Sequence, residues 1–279
     1  MSSIFEILSL DAPIEIVDVG ANPIDGTPPY APLLDAGVGR LTGFEPQPAA
    51  LAALLEAKGP LETYLPYALG NGEPIDLNIC MSSGMTSGLR PDQNTLRLFS
   101  MLERVSKIIH TETVDTKKID NVNEIKRIDY FKIDVQGMEL EIIKNGLSKL
   151  SDCAIIHIEV SFLPLYKNQP TFGEVDVFMR SQGFIPHCFA AVKNWIIAPC
   201  TINGNDRASL NQLLEADVVY AKDFTDAGNA SNTILKNIAI IAHCCYNSFD
   251  LAMHCIQMLE NRAAIEAGSL QAYVESLAS

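Results

Sequence analysis

The stretch Val17-Asp18-Val19-Gly20-Ala21-Asn22 decides the fold of this chain. With the preceding Ile14-Glu15-Ile16 it predicts a buried strand that ends at a glycine turn. Glycine has no Cβ, so the backbone of such a turn can pass close to a ligand. Glu45 ends the next predicted strand, 40–45, where a carboxylate can accept hydrogen bonds from ribose hydroxyls. The two strand ends together predict a nucleoside-binding site.

The same turn fits a dinucleotide less well. A dinucleotide site needs G-x-G-x-x-G at the start of a helix, and the chain lacks that spacing. Pro23 also removes an amide that would face a pyrophosphate. S-adenosylmethionine therefore fits the turn better than NAD, and a tight connection without any ligand is the remaining alternative.

Outward from this turn, predicted strands and helices alternate along the chain. Further strands are expected at 65–68, 75–80, 107–114, 128–134, 154–160, 184–190 and 218–221. Helices are expected at 49–58, 139–149 and 172–182. This alternation predicts an α/β fold with a mainly parallel sheet covered by helices on both faces. A long connection over 81–104, with one helix near 95–103, is either a binding loop or an ordinary connection.

The chain changes character after residue 223. Small and polar residues dominate 225–232, and three helices are expected at 233–246, 248–261 and 267–277, the second capped by Ser248. An apolar stripe runs along the second helix at Leu251, Cys255, Met258 and Leu259. We therefore expect a domain over 1–223 and a helical C-terminal appendage over 230–279. The stripe would pack on the domain or join two copies into a homo-oligomer.

Composition and charge argue against several classes of partner. Of 279 residues, 48% are hydrophobic and 19% are charged, which supports a sizeable core. The net charge of −14, without long basic clusters, argues against nucleic acid and anionic membranes. The sequence shows no signal-peptide pattern, no apolar run of membrane-spanning length and no C-x-x-C pair. These features predict a soluble, cytoplasmic protein with free thiols.

Four segments resemble the FkbM methyltransferase family, over roughly residues 14–221. They are 17–22, 43–46, 158–166 and, as the most specific, Asp129-Tyr130-Phe131-Lys132-Ile133-Asp134-Val135-Gln136-Gly137-Met138-Glu139-Leu140. The resemblance implies a Rossmann-like class I methyltransferase with a seven-stranded, mostly parallel sheet. It also implies S-adenosylmethionine as the cofactor.

The resemblance further implies which residues bind the cofactor. They are Asp18, Gly20, Ala21 and Asn22 at the turn, Glu45 and Pro46 at the ribose, Ala68 and Leu69 near the adenine, and Asp134 facing methionine and substrate. One departure concerns the turn itself. Family members carry glycine two residues after the asparagine, where this chain has Ile24, so we expect a reshaped turn.

An oxygen nucleophile needs alignment and a group that takes its proton. Asp134 ends a buried strand at the crevice typical of open α/β sheets, with capping of the next helix as its alternative role. His157 and Glu159 alternate with isoleucines in another strand, where a polar side chain must be paired or lie at the strand's end. We take Asp134, Glu159 and His157 as the catalytic candidates. A structural role is favoured for His157.

No metal site is expected from the sequence. Mg²⁺ is the alternative to a general base, but two carboxylates do not specify a site for it, and Lys132 can supply the positive charge instead. His and Cys residues of the tail lack the turn spacing of zinc modules: His243, Cys244, Cys245, His254 and Cys255. The sequence thus predicts O-methylation of a hydroxyl on a small molecule or glycan. Another nucleotide-dependent Rossmann-like enzyme and a non-catalytic binding protein are the alternatives.

Overall fold

The computed structural model describes residues 4–21, 26–225, 228 and 230–278. Within them, seven strands form one sheet: β1 (Ile14–Val19), β2 (Gly39–Phe44), β3 (Glu62–Leu65), β8 (Tyr130–Ile133), β9 (Ile155–Ser161), β10 (Phe184–Trp195) and β11 (Gln212–Lys222). Their order is β10-β11-β9-β8-β1-β2-β3. Strands β3, β2, β1, β8 and β9 run parallel, and β11 is antiparallel to both of its neighbours.

Two small sheets lie beside the large one. β4 (Ala68–Leu69) pairs in parallel with β7 (Thr116–Lys117), and β5 (Ile75–Cys80) pairs antiparallel with β6 (Ile108–Val114). The helices are α1 (Ile4–Leu8), α2 (Ala31–Asp35), α3 (Pro48–Ala57), α4 (Gln93–Leu96), α5 (Ser100–Val105), α6 (Glu139–Lys144), α7 (Leu147–Leu150), α8 (Phe172–Ser181), α9 (Asn232–Tyr246), α10 (Phe249–Asn261) and α11 (Ser269–Leu277). Among the described residues, no helix has the length and apolar character to cross a lipid bilayer.

Helices cover both faces of the large sheet. On one face, Phe131, Ile156 and Val218 pack against apolar residues of α6, α7 and α8. On the other, Ile16 and Val219 pack against α9 and α10. The predicted fold class, a Rossmann-like α/β sheet of seven mostly parallel strands, is confirmed by this arrangement.

The C-terminal helices share a hydrophobic core with the sheet. Leu251, Cys255 and Leu259 are buried in the cluster that contains the β1 side chains, and Met258 packs against it. The stripe predicted to bury itself is therefore buried within the chain, and it supplies no reason for a homo-oligomer. The division into units 1–223 and 230–279 stays a prediction.

The strand expected at 65–68 is instead β3, which ends at Leu65, followed by the short β4 at Ala68–Leu69. Three helical features also differ from the sequence prediction. The helix expected over 139–149 is broken at Gly146, where a Cβ would lie 2.8 Å from the Cβ of Ile119. The helix expected over 95–103 is divided into α4 and α5 around the buried Phe99. Ser248 precedes α10, but its hydroxyl makes no capping bond and donates to Asp250 instead.

The β10–β11 hairpin is longer than predicted. The two strands pair from Phe184↔Lys222 to Trp195↔Gln212, with three irregularities in register. Each irregularity interrupts the alternation of inward- and outward-facing residues along the strand. The full length of both strands was therefore not recognisable from the periodicity of the sequence. The extension carries Lys193 and Trp195 to the edge of the sheet where the parallel strands end.

Candidate active site

A cavity of about 440 Å³ opens at the carboxyl ends of β1, β2 and β8. Gly20, Glu45 and Asp134 each follow one of these strands directly, and all three line the cavity. Because the carboxyl ends of parallel strands meet at one edge of a sheet, residues distant in sequence converge there. The sequence predicted that these three residues lie at the same edge of the sheet, and in the structure all three line the same cavity.

The turn after β1 is possible only with glycine. Gly20 has a φ of +82°, and a Cβ at this position would lie 2.0 Å from the carbonyl oxygen of Asp134. The amides of Gly20 and Ala21 both donate to the carbonyl oxygen of Phe44 at 3.2 Å. The turn is thus held between the neighbouring strands β2 and β8, which fixes the floor of the cavity.

Several residues lining the cavity have the character expected of a nucleoside site. Glu45 is 3% exposed and accepts a hydrogen bond from the amide of Gln47 at 2.7 Å. Burial raises the pKa of this carboxyl, and the Gln47 amide partly offsets the shift. Around it lie apolar or small neighbours at Pro46, Ala68 and Leu69, as the resemblance implied. A carboxylate beside apolar walls suits a ribose and an adenine ring.

The remaining residues assigned to the turn do not line this cavity. Asp18 and Ala21 border a second cavity of about 490 Å³, which contacts Gly20 and Asp134 from the opposite side. The Asp18 carboxylate accepts a hydrogen bond from the Tyr30 hydroxyl at 2.6 Å and pairs with Lys132 Nζ at 3.1 Å. Its assignment to the cofactor stays a prediction, and Asn22 lies outside the described residues.

Asp134 lies in a network of buried polar groups. Gln136 Nε2 donates to Asp134 Oδ1 at 2.9 Å and to Glu159 Oε2 at 2.8 Å. The Tyr166 hydroxyl donates to Gln136 Oε1 at 3.1 Å, which fixes the orientation of the amide. Gln136 has a φ of +59°, a conformation that costs energy for a residue other than glycine. The strained turn thus places one amide between two carboxylates.

The pKa values of the two carboxyl groups in this network are shifted in opposite directions. Burial opposes ionisation of Asp134, but the Lys132 ammonium and hydrogen bonds from Glu159 and Gln136 hold its pKa below the ordinary value. Burial, with the neighbouring Asp134 and Glu215 carboxylates, raises the pKa of Glu159 well above its ordinary value. The two shifts run in opposite directions, so Asp134 ionises more readily than Glu159.

A lysine from the β10–β11 hairpin completes the network. Lys193 Nζ lies 2.7 Å from Glu159 Oε1 and 3.5 Å from Glu215 Oε2. Burial disfavours its charge, but these carboxylates raise its pKa above the ordinary value. Lys193, Glu215 and Asp134 line the cavity, whereas Glu159 lies behind them. No pattern in the sequence around Lys193 or Glu215 marked either residue.

The third catalytic candidate lies on the other side of Asp134. His157 borders the second cavity, and its Nδ1 is 2.9 Å from the Tyr246 hydroxyl of α9. Burial and the nearby Lys132 ammonium lower the pKa of His157 to about 3. The imidazole is therefore neutral and bonded to the C-terminal helices, in line with the structural role favoured from the sequence.

A third carboxylate, Glu139, lies close to Asp134 and Glu159. One oxygen from each of the three falls within 4.8 Å of the others. Glu139 accepts hydrogen bonds from the amides of Val135 and Gly137 at 3.0 Å. It therefore stabilises the turn after β8, and the expectation of no metal here stays a prediction.

Glu139 gives a testable pH dependence. Burial raises its pKa from 4.5 to about 7, so its stabilising contribution is fully present below pH 4.5 and is lost as the pH rises through 7. Replacing Glu139 with Gln keeps an acceptor for both amides and removes the ionisation. Relative to the wild type, the variant should gain about 2–3 kcal/mol in free energy of unfolding between pH 5 and pH 8. Urea denaturation at both pH values measures this.

The control for this experiment is Glu141→Gln, an exposed glutamate on the same helix. Its free energy of unfolding should follow the wild type at both pH values. Parallel pH profiles for Glu139→Gln and the wild type would show that Glu139 ionises as freely in the folded chain as in the unfolded one.

The outer end of the cavity is formed by residues that the sequence did not single out. Trp195 and Arg207 come from the β10–β11 hairpin, and Met85 and Leu102 come from the 81–104 segment. Residues 83–88 also line the cavity, so the 81–104 segment forms part of its wall. Of the two interpretations of this segment, lining of the site is the one that the structure supports.

Comparison with known proteins agrees with this architecture. The family model for the methyltransferase FkbM domain matches residues 18–186. The 2-O-methyltransferase NoeI of Sinorhizobium fredii (strain NBRC 101917 / NGR234) is 28% identical over 167 residues, which cover 55% of this chain and 66% of that protein. The chain thus spans slightly less than two thirds of that relative's length.

Similarity to solved structures is remote. Precorrin-6y C5,15-methyltransferase from Geobacter metallireducens GS-15 has 13% identity and a TM-score of 0.38, covering 78% of this chain and 85% of that one. Magnesium protoporphyrin IX methyltransferase from Synechocystis PCC 6803, with bound SAM, has 8% identity and a TM-score of 0.39, covering 76% and 71%. The family assignment rests on the match over residues 18–186. The chain belongs to the FkbM methyltransferase family.

Proposed function

We propose that this chain transfers the methyl group of S-adenosylmethionine to a hydroxyl oxygen of a small molecule or glycan. The observation that carries the proposal is a single cavity lined both by Glu45 and by Asp134, whose pKa is held below its ordinary value. The similarity to a protein named as a 2-O-methyltransferase supports oxygen as the nucleophile.

The cofactor would bind at the Glu45 end. The Glu45 carboxylate would accept the ribose hydroxyls, and Pro46, Ala68 and Leu69 would contact the adenine. When bound, S-adenosylmethionine supplies an electrophilic methyl group on a sulfonium. The close approach of Gly20 to Asp134 would limit where the methionine end of the cofactor could lie.

Asp134 would orient the acceptor hydroxyl and take its proton. A carboxylate with a lowered pKa is a weak base towards a free alcohol. As the new C–O bond forms, the hydroxyl becomes strongly acidic, so a weak base suffices late in the transfer. Glu159, behind the cavity wall, would act through Gln136 as a positioning residue. His157 is given no catalytic part in this proposal.

The cofactor assignment is tested by replacing Glu45 with Ala. The loss of charge-assisted hydrogen bonds to the ribose should weaken S-adenosylhomocysteine binding by about 1.5–3 kcal/mol, or roughly tenfold to a hundredfold. Isothermal titration calorimetry measures the affinity. Glu56→Ala, an exposed glutamate on α3, is the matched control and should bind as the wild type does. Unchanged affinity in Glu45→Ala, or binding of NAD in place of S-adenosylhomocysteine, would remove the assignment.

A further inference from the structure

The outer wall of the cavity is a folded-back loop between β10 and β11. The amide of Ile196 donates to the carbonyl oxygen of Ala208 at 3.0 Å, which closes the loop on itself. Arg104 of α5 pairs with Asp206 at 2.9 Å, and the amide of Ala198 donates to Leu98 at 2.8 Å. These bonds tie the loop to the 81–104 segment, so the wall is built from two parts of the chain held together.

Trp195 presents an aromatic ring within this wall. Phe99, which is fully buried, meets the ring in a T-shaped contact at 6.2 Å. The Arg207 guanidinium carbon lies 5.7 Å from the centre of the ring, within the range of a cation–π contact. Trp195 and Arg207 both line the cavity. The flat aromatic ring can contact the ring of a ligand, and the neighbouring cation can bind a negatively charged substituent on it.

Arg207 is the cation of the cavity that remains free to bind a ligand. Two cations, Lys193 and Arg207, are found among the described lining residues. Lys193 contacts both Glu159 and Glu215. Arg207 has no carboxylate within ion-pair distance in the part of the chain that the structure describes. Its contact with the Trp195 ring uses none of its N–H groups in a hydrogen bond to an oxygen, so these donors are left for other acceptors.

The charge of the whole chain makes this arginine significant for specificity. A net charge of −14 repels anions, so an anionic compound would enter the cavity only where a local cation compensates. Planar guanidinium N–H groups bind carboxylate or phosphate oxygens in a bidentate manner. A neutral ligand would leave these donors to water alone.

We propose that the methyl acceptor is a hydroxylated ring, such as a sugar, that carries an anionic group. Its ring would contact Trp195, its anionic group would bind Arg207, and its hydroxyl would face Asp134. This inference rests on the proposed function and adds the class of acceptor to it. Arg207 and Trp195 are specificity-determining residues in this scheme, because they bind the acceptor and take no part in bond formation.

The chain contains a built-in reporter for the test. Trp195 is its single tryptophan, so its fluorescence reports on this wall alone. We would saturate the protein with S-adenosylhomocysteine, verify that by calorimetry, and titrate with glucuronate, glucose 6-phosphate and glucose. The wild type should bind the two anionic sugars at least about tenfold more tightly than glucose, and added salt should weaken only the anionic probes. Comparing the affinities for glucuronate and glucose 6-phosphate shows whether Arg207 prefers a carboxylate or a phosphate.

The deciding variant is Arg207→Gln. It should lose the preference for anionic sugars while its affinity for S-adenosylhomocysteine and its melting temperature stay unchanged. Arg180→Gln, which changes an exposed arginine of α8, should keep the preference. A wild type that binds no probe, that binds glucose and glucuronate equally, or whose preference survives in Arg207→Gln overturns the inference. If the wild type did not bind S-adenosylhomocysteine at all, the proposed function itself would be contradicted. Failure of the inference about the acceptor and failure of the proposed function are therefore distinguishable.

Discussion

Replacing Gly20 with Ala is expected to abolish measurable binding of S-adenosylhomocysteine and to destabilise the fold by on the order of 3 kcal/mol or more. The new Cβ would lie 2.0 Å from the Asp134 carbonyl oxygen, which belongs to the backbone of β8's terminal turn and cannot move aside as a side chain would. Relief of the clash would displace Asp134, and with it the floor of the cavity. Calorimetry and thermal unfolding followed by circular dichroism measure the two effects.

Gly37→Ala is a matched control for this substitution. Gly37 also has a positive φ, of +71°, but a Cβ there would meet nothing within 4 Å. That variant should lose only about 1 kcal/mol for the left-handed conformation and should bind S-adenosylhomocysteine normally. Equal losses of stability in both variants would mean that the conformation of the turn, and not its contact with Asp134, sets the requirement for glycine.

Replacing Asp134 with Asn is expected to lower turnover by about 10²- to 10⁴-fold while changing cofactor affinity little. The amide oxygen can still accept from Gln136, so the local network is retained. It cannot take a proton from the acceptor hydroxyl. Transfer from methyl-labelled S-adenosylmethionine to an acceptor that the wild type turns over measures the rate. Asp152→Asn, an exposed aspartate, is the control.

Two further results bear on the role of Asp134. Activity of the wild type that persists in EDTA fits a carboxylate base, whereas its loss would indicate a metal at the carboxylate cluster. If Asp134→Asn and Glu159→Gln both turned over at the wild-type rate, these residues would have no catalytic part. The base would then have to be sought elsewhere, with the 81–104 segment, which lines the cavity, as the next candidate.

The floor of the cavity was predictable from sequence, because it depends on strand ends. Gly20, Glu45 and Asp134 were each recognised at the end of a predicted strand, and a parallel sheet brings such ends to one edge. The assignment of Asp18 was less direct. Side chains in a strand alternate between faces, and Asp18 lies on the face of Lys132, with which it pairs. The motif alone did not show that this carboxylate is already engaged.

The outer wall was not predictable from sequence. Lys193, Trp195 and Arg207 reach the cavity through a hairpin whose three register irregularities shift which side chains face it. Glu215 enters from the second strand of that hairpin, opposite Lys193. Such placement depends on long-range pairing, which local periodicity does not record.

The shared core of the sheet and the tail has a consequence for biosynthesis. All seven strands of the large sheet have been translated by Lys222, yet α9 and α10, which cover a large part of the face that contains Ile16 and Val219, have not. A nascent chain on the ribosome therefore exposes an apolar sheet face until those two helices emerge. During this interval the chain is open to aggregation and to chaperones that bind extended apolar surface. A message truncated after the last strand would yield a product that quality-control proteases recognise.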